Sequence, residues 1–126
     1  MAHVVAFVPD LLFGSQVQGH LLAAGHTVDL VGDEEGVRTG LRAADVLVLD
    51  LTDESARRTG LLESLSPDER ADVPTLAFYS HVDVEVRRLA EQAGCELVVP
   101  RSRMAREGAV LVSQLAQQQA KGGEAA

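Results

Sequence analysis

The feature that most constrains this chain is a set of short apolar runs: His3 to Val8, Thr27 to Val31, Asp45 to Leu51 and Val73 to Tyr79, with a shorter fifth from Glu96 to Val99. Each is rich in Val and Leu, nearly continuous rather than alternating, and bounded by turn or capping residues. A strand wetted on one face alternates polar with apolar side chains, so continuous runs of this length mark strands covered on both faces. Strands of that kind belong to parallel sheets, in which each crossover lays a helix on one face or the other.

The segments between the runs carry helical spacing. Val82, Val86, Leu89, Ala90 and Ala93 fall on one stripe, and Gly94 follows as a C-terminal stop. A first helix is expected to open at Ser15, with Gln18 as its capping-box partner, and to close at Gly25. A short helix is expected around Val37 to Ala43 and another through Leu61, Leu62 and Leu65; Ser66 to Glu69 suggest a new N-cap with Pro67 in the first helical position, but the segment reads as a helix followed by a turn. A last helix is expected from Met104 to about Gln119; residues 1–120 then form one domain and 121–126, small and polar, a disordered tail. Strand and helix alternating in this way give a doubly wound three-layer α/β/α domain, whose ligands gather at the carboxyl ends of the strands.

Composition narrows the function. The chain has 126 residues, enough for one core, and with aromatics at only 3% that core must be made of Val, Leu and Ala. Nineteen acidic against 11 basic side chains leave a net charge of −8, which opposes binding to nucleic acid or an anionic membrane. Cys95 is the only thiol, so no intrachain disulfide forms, and a buried, inert role is expected for it. The apolar stretch Val4 to Phe13 is interrupted by Pro9 and Asp10 and lacks a basic flank, so it is neither a signal peptide nor a membrane span, and the cytoplasm is the expected location. There is no Ser-His-Asp order, Gly-x-Ser-x-Gly elbow or Cys/His metal pattern, and a non-enzymatic domain is expected.

The strand ends are polar where the strands are not. They carry Pro9 and Asp10, then Asp33, then Asp50 with Asp53, then Tyr79, Ser80 and His81, then Pro100 and Arg101. Carboxylates gathered at one point repel unless a cation or proton relieves them, and Mg²⁺ suits all-oxygen sites of this kind; Asp10 and Asp50 are the pair expected to lie together. His81 has two readings, a metal ligand or proton acceptor beside the acids and a plain loop histidine. Arg101, Arg103 and Arg106 read either as a phosphate or acidic-partner site or as solvated arginines. Phe13 is expected to pack the first helix onto the core.

The run Val46-Leu47-Val48-Leu49-Asp50, the pair Val73-Pro74 at the start of the fourth strand and Ala93-Gly94 after the following helix together resemble the receiver domains of bacterial response regulators, over most of the chain. The resemblance implies a flavodoxin-like, five-stranded parallel sheet of order 2-1-3-4-5. It implies Asp50 as a phosphoacceptor and Mg²⁺ held by Asp10, Asp50 and Thr52. It places the phosphate-contacting hydroxyl at Tyr79, or at Ser80 if the strand slips by one, with His81 adjacent. The family's lysine falls on Arg101, or with a one-residue gap on Pro100. Three departures mark the chain as atypical and pseudo-receiver-like, with weakened metal binding: Pro9 stands where receivers have a second acid, Tyr79 is bulky for the hydroxyl position, and Arg101 is followed by Ser102 rather than proline.

The function so implied is that of a stand-alone signalling domain in two-component pathways. It acts as monomer or homodimer by contact with a protein partner, a kinase or a downstream effector, and not with nucleic acid or membrane. The alternative is a flavodoxin- or Rossmann-like domain binding nucleotide or flavin, suggested by Leu21 to Val28. Against it, the loop Pro9 to Ser15 holds one glycine and no GxGxxG for a pyrophosphate to approach.

Overall fold

Successive residues of each central strand turn to opposite faces of the sheet, and that alternation divides the core in two. The computed structural model describes residues 1–70, 72–80 and 83–125, with side chains described through residue 118. Five strands, β1 (His3–Phe7), β2 (Thr27–Val31), β3 (Val46–Asp50), β4 (Thr75–Tyr79) and β5 (Leu97–Pro100), form one parallel sheet of order β2-β1-β3-β4-β5. Val5, Phe7, Leu47, Leu49, Ala77 and Tyr79 face one core, and Val4, Ala6, Val46, Val48, Leu76 and Phe78 the other.

Each core is closed by its own helices. Val37 and Leu41 of α2 (Glu34–Leu41), Leu61 and Leu62 of α3 (Ser55–Ser64) and, beyond the one-turn α4 (Pro67–Arg70), Val86 and Ala90 of α5 (Val84–Gln92) cover the first. Phe13, Val17 and Leu21 of α1 (Leu11–Ala23) and Met104, Leu111, Val112 and Leu115 of α6 (Arg101–Ala125) cover the second. The expected three-layer, flavodoxin-like architecture with order 2-1-3-4-5 is therefore the one observed.

Several element ends differ from the sequence reading. Helix α1 opens four residues before Ser15: Asp10 is its N-cap, with Oδ1 accepting the Phe13 N–H at 3.0 Å. Starting there puts Phe13, Val17 and Leu21 at i, i+4 and i+8 on the sheet, whereas the Ser15–Gln18 box does nothing for burial. Asp33 caps α2 in the same way through the Gly36 N–H at 2.7 Å, so this helix also starts before the expected Val37. Strand β2 is not covered on both faces: as the sheet edge it leaves Thr27, Asp29 and Leu30 exposed. Helix α6 follows β5 without a linker, beginning at Arg101 rather than Met104, and its backbone runs through Ala125 where the helix was expected to end near Gln119. The side chains of the expected tail, 121–126, lie outside the described residues.

Other local readings hold. Ser66 and Glu69 form a reciprocal capping box on α4, Asp83 caps α5, and Gly94 turns the chain at φ 98° after it. Phe13 packs inward, its ring 5.1 Å from that of Phe78. Cys95 is buried, and burial pushes its thiol up to about 12, which keeps it protonated and unreactive. Among the described residues no helix is long and apolar enough to cross a membrane.

His26, which shows no ligand spacing in the sequence, is a buried strut. Its Nδ1 accepts the Ala2 N–H at 3.0 Å, which places the ring proton on Nε2, 3.0 Å from Ser113 Oγ. It thereby ties the start of β1 to α6.

Glycine substitutions test the layer spacing. A Cβ on Gly40 would stand 2.7 Å from Cγ2 of the fully buried Val5, so Gly40→Ala should cost about 1–3 kcal/mol despite alanine's better helix propensity. Gly19 and Gly60 have open space there, and Gly19→Ala or Gly60→Ala should gain about 0.5–1 kcal/mol. Urea unfolding midpoints at constant m check both signs.

Candidate functional site at the carboxyl end of the sheet

Strand β3 is buried at all five positions, and its last residue is Asp50, only 2% exposed. A carboxylate this deep needs partners. Asp50 Oδ1 accepts the Thr52 N–H at 2.8 Å and the Thr52 hydroxyl at 2.6 Å. Among the described residues no hydrogen bond reaches Oδ2.

The Asp50 backbone is held separately by Arg58, whose Nη1 donates to the Asp50 carbonyl at 2.7 Å. Arg58 is itself buried, its guanidinium 5.1 Å from the centre of the Phe7 ring and 3.8 Å from Glu54. The chain reaches α3 through Glu54 in the left-handed region, at φ 50°, a conformation that L side chains adopt at a cost. Sequence reasoning did not single out Arg58. The signal was present, since Arg58 lies three and four residues before Leu61 and Leu62 on the inward stripe, whereas Arg57 points to Glu34 and Glu54 at the surface.

Beyond the neighbouring strand β1, at the N-cap of α1, Asp10 has both oxygens engaged. Oδ1 caps α1, and Oδ2 lies 3.4 Å from Arg101 Nη2. The Arg101 guanidinium also stacks 4.1 Å over the Phe13 ring. Charge and dipole act together here, because a carboxylate is favoured at the N-terminus of α1. The backbone bond from Phe13 is the main cause that holds the Asp10 carboxyl below its ordinary 3.8; desolvation opposes it, and the Arg101 guanidinium adds a lesser lowering.

The remaining strand-end residues separate. Tyr79 is buried in the core beneath α5, while Ser80, one residue on, lines a cleft of about 450 Å³ with Phe13, Thr52, Arg101, Ser102 and Ala105. Pro100 ends β5 opposite Tyr79, and it is Arg101 that reaches the cleft. His81 lies outside the described residues. The three-arginine cluster does not form around one point: Arg103 pairs with Glu107 along α6 at 3.1 Å, and Arg101 turns to Asp10. Asp33 is occupied as the α2 cap, and among the described residues no three His, Cys, Asp or Glu side chains come together.

With this geometry in hand, comparison with known proteins is informative about fold. No protein-family model matches the sequence, and no curated protein matches it. Solved structures do. NtrX from Brucella abortus, in complex with ADP, is 16% identical with a TM-score of 0.85 over 98% of this chain, which spans 28% of that longer protein. The receiver domain of the Francisella response regulator 1452 is 14% identical with a TM-score of 0.79, over 94% of this chain and 98% of that one. The receiver domain of the sensor histidine kinase PA1611 from Pseudomonas aeruginosa, with magnesium coordinated in its active-site cleft, is 14% identical with a TM-score of 0.74, over 92% and 98%. The class is thus a doubly wound flavodoxin-like domain, and within it the fold is that of response-regulator receiver domains.

The magnesium of the last neighbour raises the question of fit. Mg²⁺ requires near-octahedral oxygen coordination, drawn from one or two carboxylates and several waters. Here Pro9 supplies no side-chain oxygen, both Asp10 oxygens are engaged, Asp50 Oδ1 is bound twice by Thr52, and a guanidinium faces Asp10. These residues do not fit the ion.

Arg58→Met keeps the aliphatic stem on Phe7 but removes the bond to Asp50, and should destabilise the fold by about 1.5–3 kcal/mol while shifting the Asp50 carbonyl carbon resonance. Because the Asp10 carboxyl is depressed in the folded state, its stabilising contribution is fully present above its unfolded value and is lost as pH falls through the lower folded value. Stability measured from pH 5 downwards, over about three units, should therefore fall less steeply in Asp10→Asn than in the wild type.

Proposed function

We propose that this protein is a non-enzymatic signalling module that acts by contact with a protein partner, and that Asp50 is its phosphoacceptor. The observation that carries the reading is the state of Asp50: a carboxylate at the carboxyl end of the central strand of a receiver-fold sheet, with Oδ1 fixed by Thr52 and Oδ2 without a partner among the described residues. A carboxylate held through one oxygen presents the other in a set direction.

In the proposed step Asp50 Oδ2 forms a bond to the phosphorus of a donor, an acyl phosphate or a phosphohistidine. The donor's P–O or P–N bond breaks, and the electron pair leaves with the donor. The product is an aspartyl phosphate whose added charge falls beside Arg101, Ser80 and Thr52 of the cleft. The module's output is then a change in the surface around that cleft, read by a protein partner.

The nucleotide alternative draws less support from the geometry. A pyrophosphate in a Rossmann-like site occupies the N-terminus of the first helix, and here the Asp10 carboxylate already takes that place.

The test is phosphoramidate or acetyl phosphate treatment followed by intact-mass analysis. Wild type should gain one phosphoryl group and Asp50→Asn none. An unmodified wild type under every donor, with and without divalent cation, removes the phosphoacceptor assignment.

A further inference from the structure

We propose that the acidic end of this sheet takes no divalent cation because Arg101 is its resident positive charge. The inference goes beyond the signalling reading and is read independently of it, since metal binding is measured whether or not Asp50 accepts a phosphoryl group.

Three observations converge. Arg101 is the first residue of α6, joined directly to β5, so its backbone position is set by the sheet rather than by a loop. Its guanidinium is held from two sides, by the Asp10 carboxylate at 3.4 Å and by the face of Phe13 at 4.1 Å. Phe13 is in turn fixed in the core against Phe78. A cation–π contact and an ion pair on one planar group define a place for it in a way that a flexible ammonium would not match.

The acids are arranged to suit that cation. Asp10 gives one oxygen to the helix cap and the other to Arg101, so a metal ion entering here must displace a guanidinium and meet its charge as well. Asp50 offers only Oδ2, and Pro9 offers nothing. One free carboxylate oxygen on Asp50, with the Asp10 carboxylate already paired to a guanidinium, is a poor site for a small, strongly hydrated dication. The same charge is placed to meet phosphate oxygens in the cleft it lines with Ser80 and Ser102, which gives the cleft an anion-facing group without a metal.

The experiment uses Mn²⁺, which binds where Mg²⁺ does and broadens nearby amide signals. In wild type the amides of Asp10, Asp50 and Thr52 should show no selective broadening up to about 1 mM, the range of weak protein sites for divalent cations. Arg101→Met, which keeps a chain against Phe13 but frees Asp10 Oδ2, should gain selective broadening at those amides, an affinity at least about tenfold tighter than wild type. Arg101→Gln carries the same test should the methionine variant not fold. Saturable broadening of wild type centred on Asp10 and Asp50 overturns the proposal, as does a folded Arg101 variant that stays as blank as wild type.

Discussion

The rest of this structure depends on a carboxylate at the end of a strand that is buried on both faces. Strand β3 lies at the centre of the sheet, and the helices above and below it bury every one of its residues, so Asp50 is drawn into the edge of the core with the apolar residues before it. Burial of a charge is tolerated only where hydrogen bonds replace the lost hydration. Thr52 does this for the side chain and Arg58 for the backbone carbonyl. The turn between β3 and α3 is shaped by that requirement, down to the left-handed Glu54 that lets the chain double back.

Around this centre the charged side chains of the domain pair with one another. The helix cap at Asp10, the ion pair to Arg101 and the stacking of Arg101 on Phe13 form a connected set linking β1, α1 and α6. Each member is half exposed and individually weak, but the set is anchored by a ring buried in the core, which limits the freedom its members would otherwise keep. Sharing one aspartate between a cap and an ion pair also explains why the acids at this end do not collect into a cluster.

The strands were legible because a buried parallel strand has no polar positions to blur its pattern, and all five fall within one or two residues of the apolar runs. Helix starts were less so. The Ser15–Gln18 box is a valid local signal, yet α1 starts at Leu11 because only that start brings Phe13 onto Phe78. The start of α6 carries no local mark: Pro100 precedes it and no Ser, Thr, Asp or Asn side chain stands at its N-cap. The edge strand β2 reads as buried from its sequence because apolar content alone does not reveal which strand is last in the sheet.

By itself the sequence determined the alternation of strand and helix, the aliphatic core and the polar strand ends with Asp10 and Asp50 among them, since these follow from hydrophobic period and from which residues cap and turn. Which strand-end side chains meet was decided by tertiary structure. Tyr79 and Ser80 are neighbours in the chain, but the two-residue period of the strand sends Tyr79 into the core, and it is Ser80 that lines the cleft. Arg101 meets Asp10 across 91 positions because sheet order places α6 beside α1, and Arg58 reaches Asp50 because one turn of α3 faces inward. Those contacts depend on angles between elements, which no local pattern encodes.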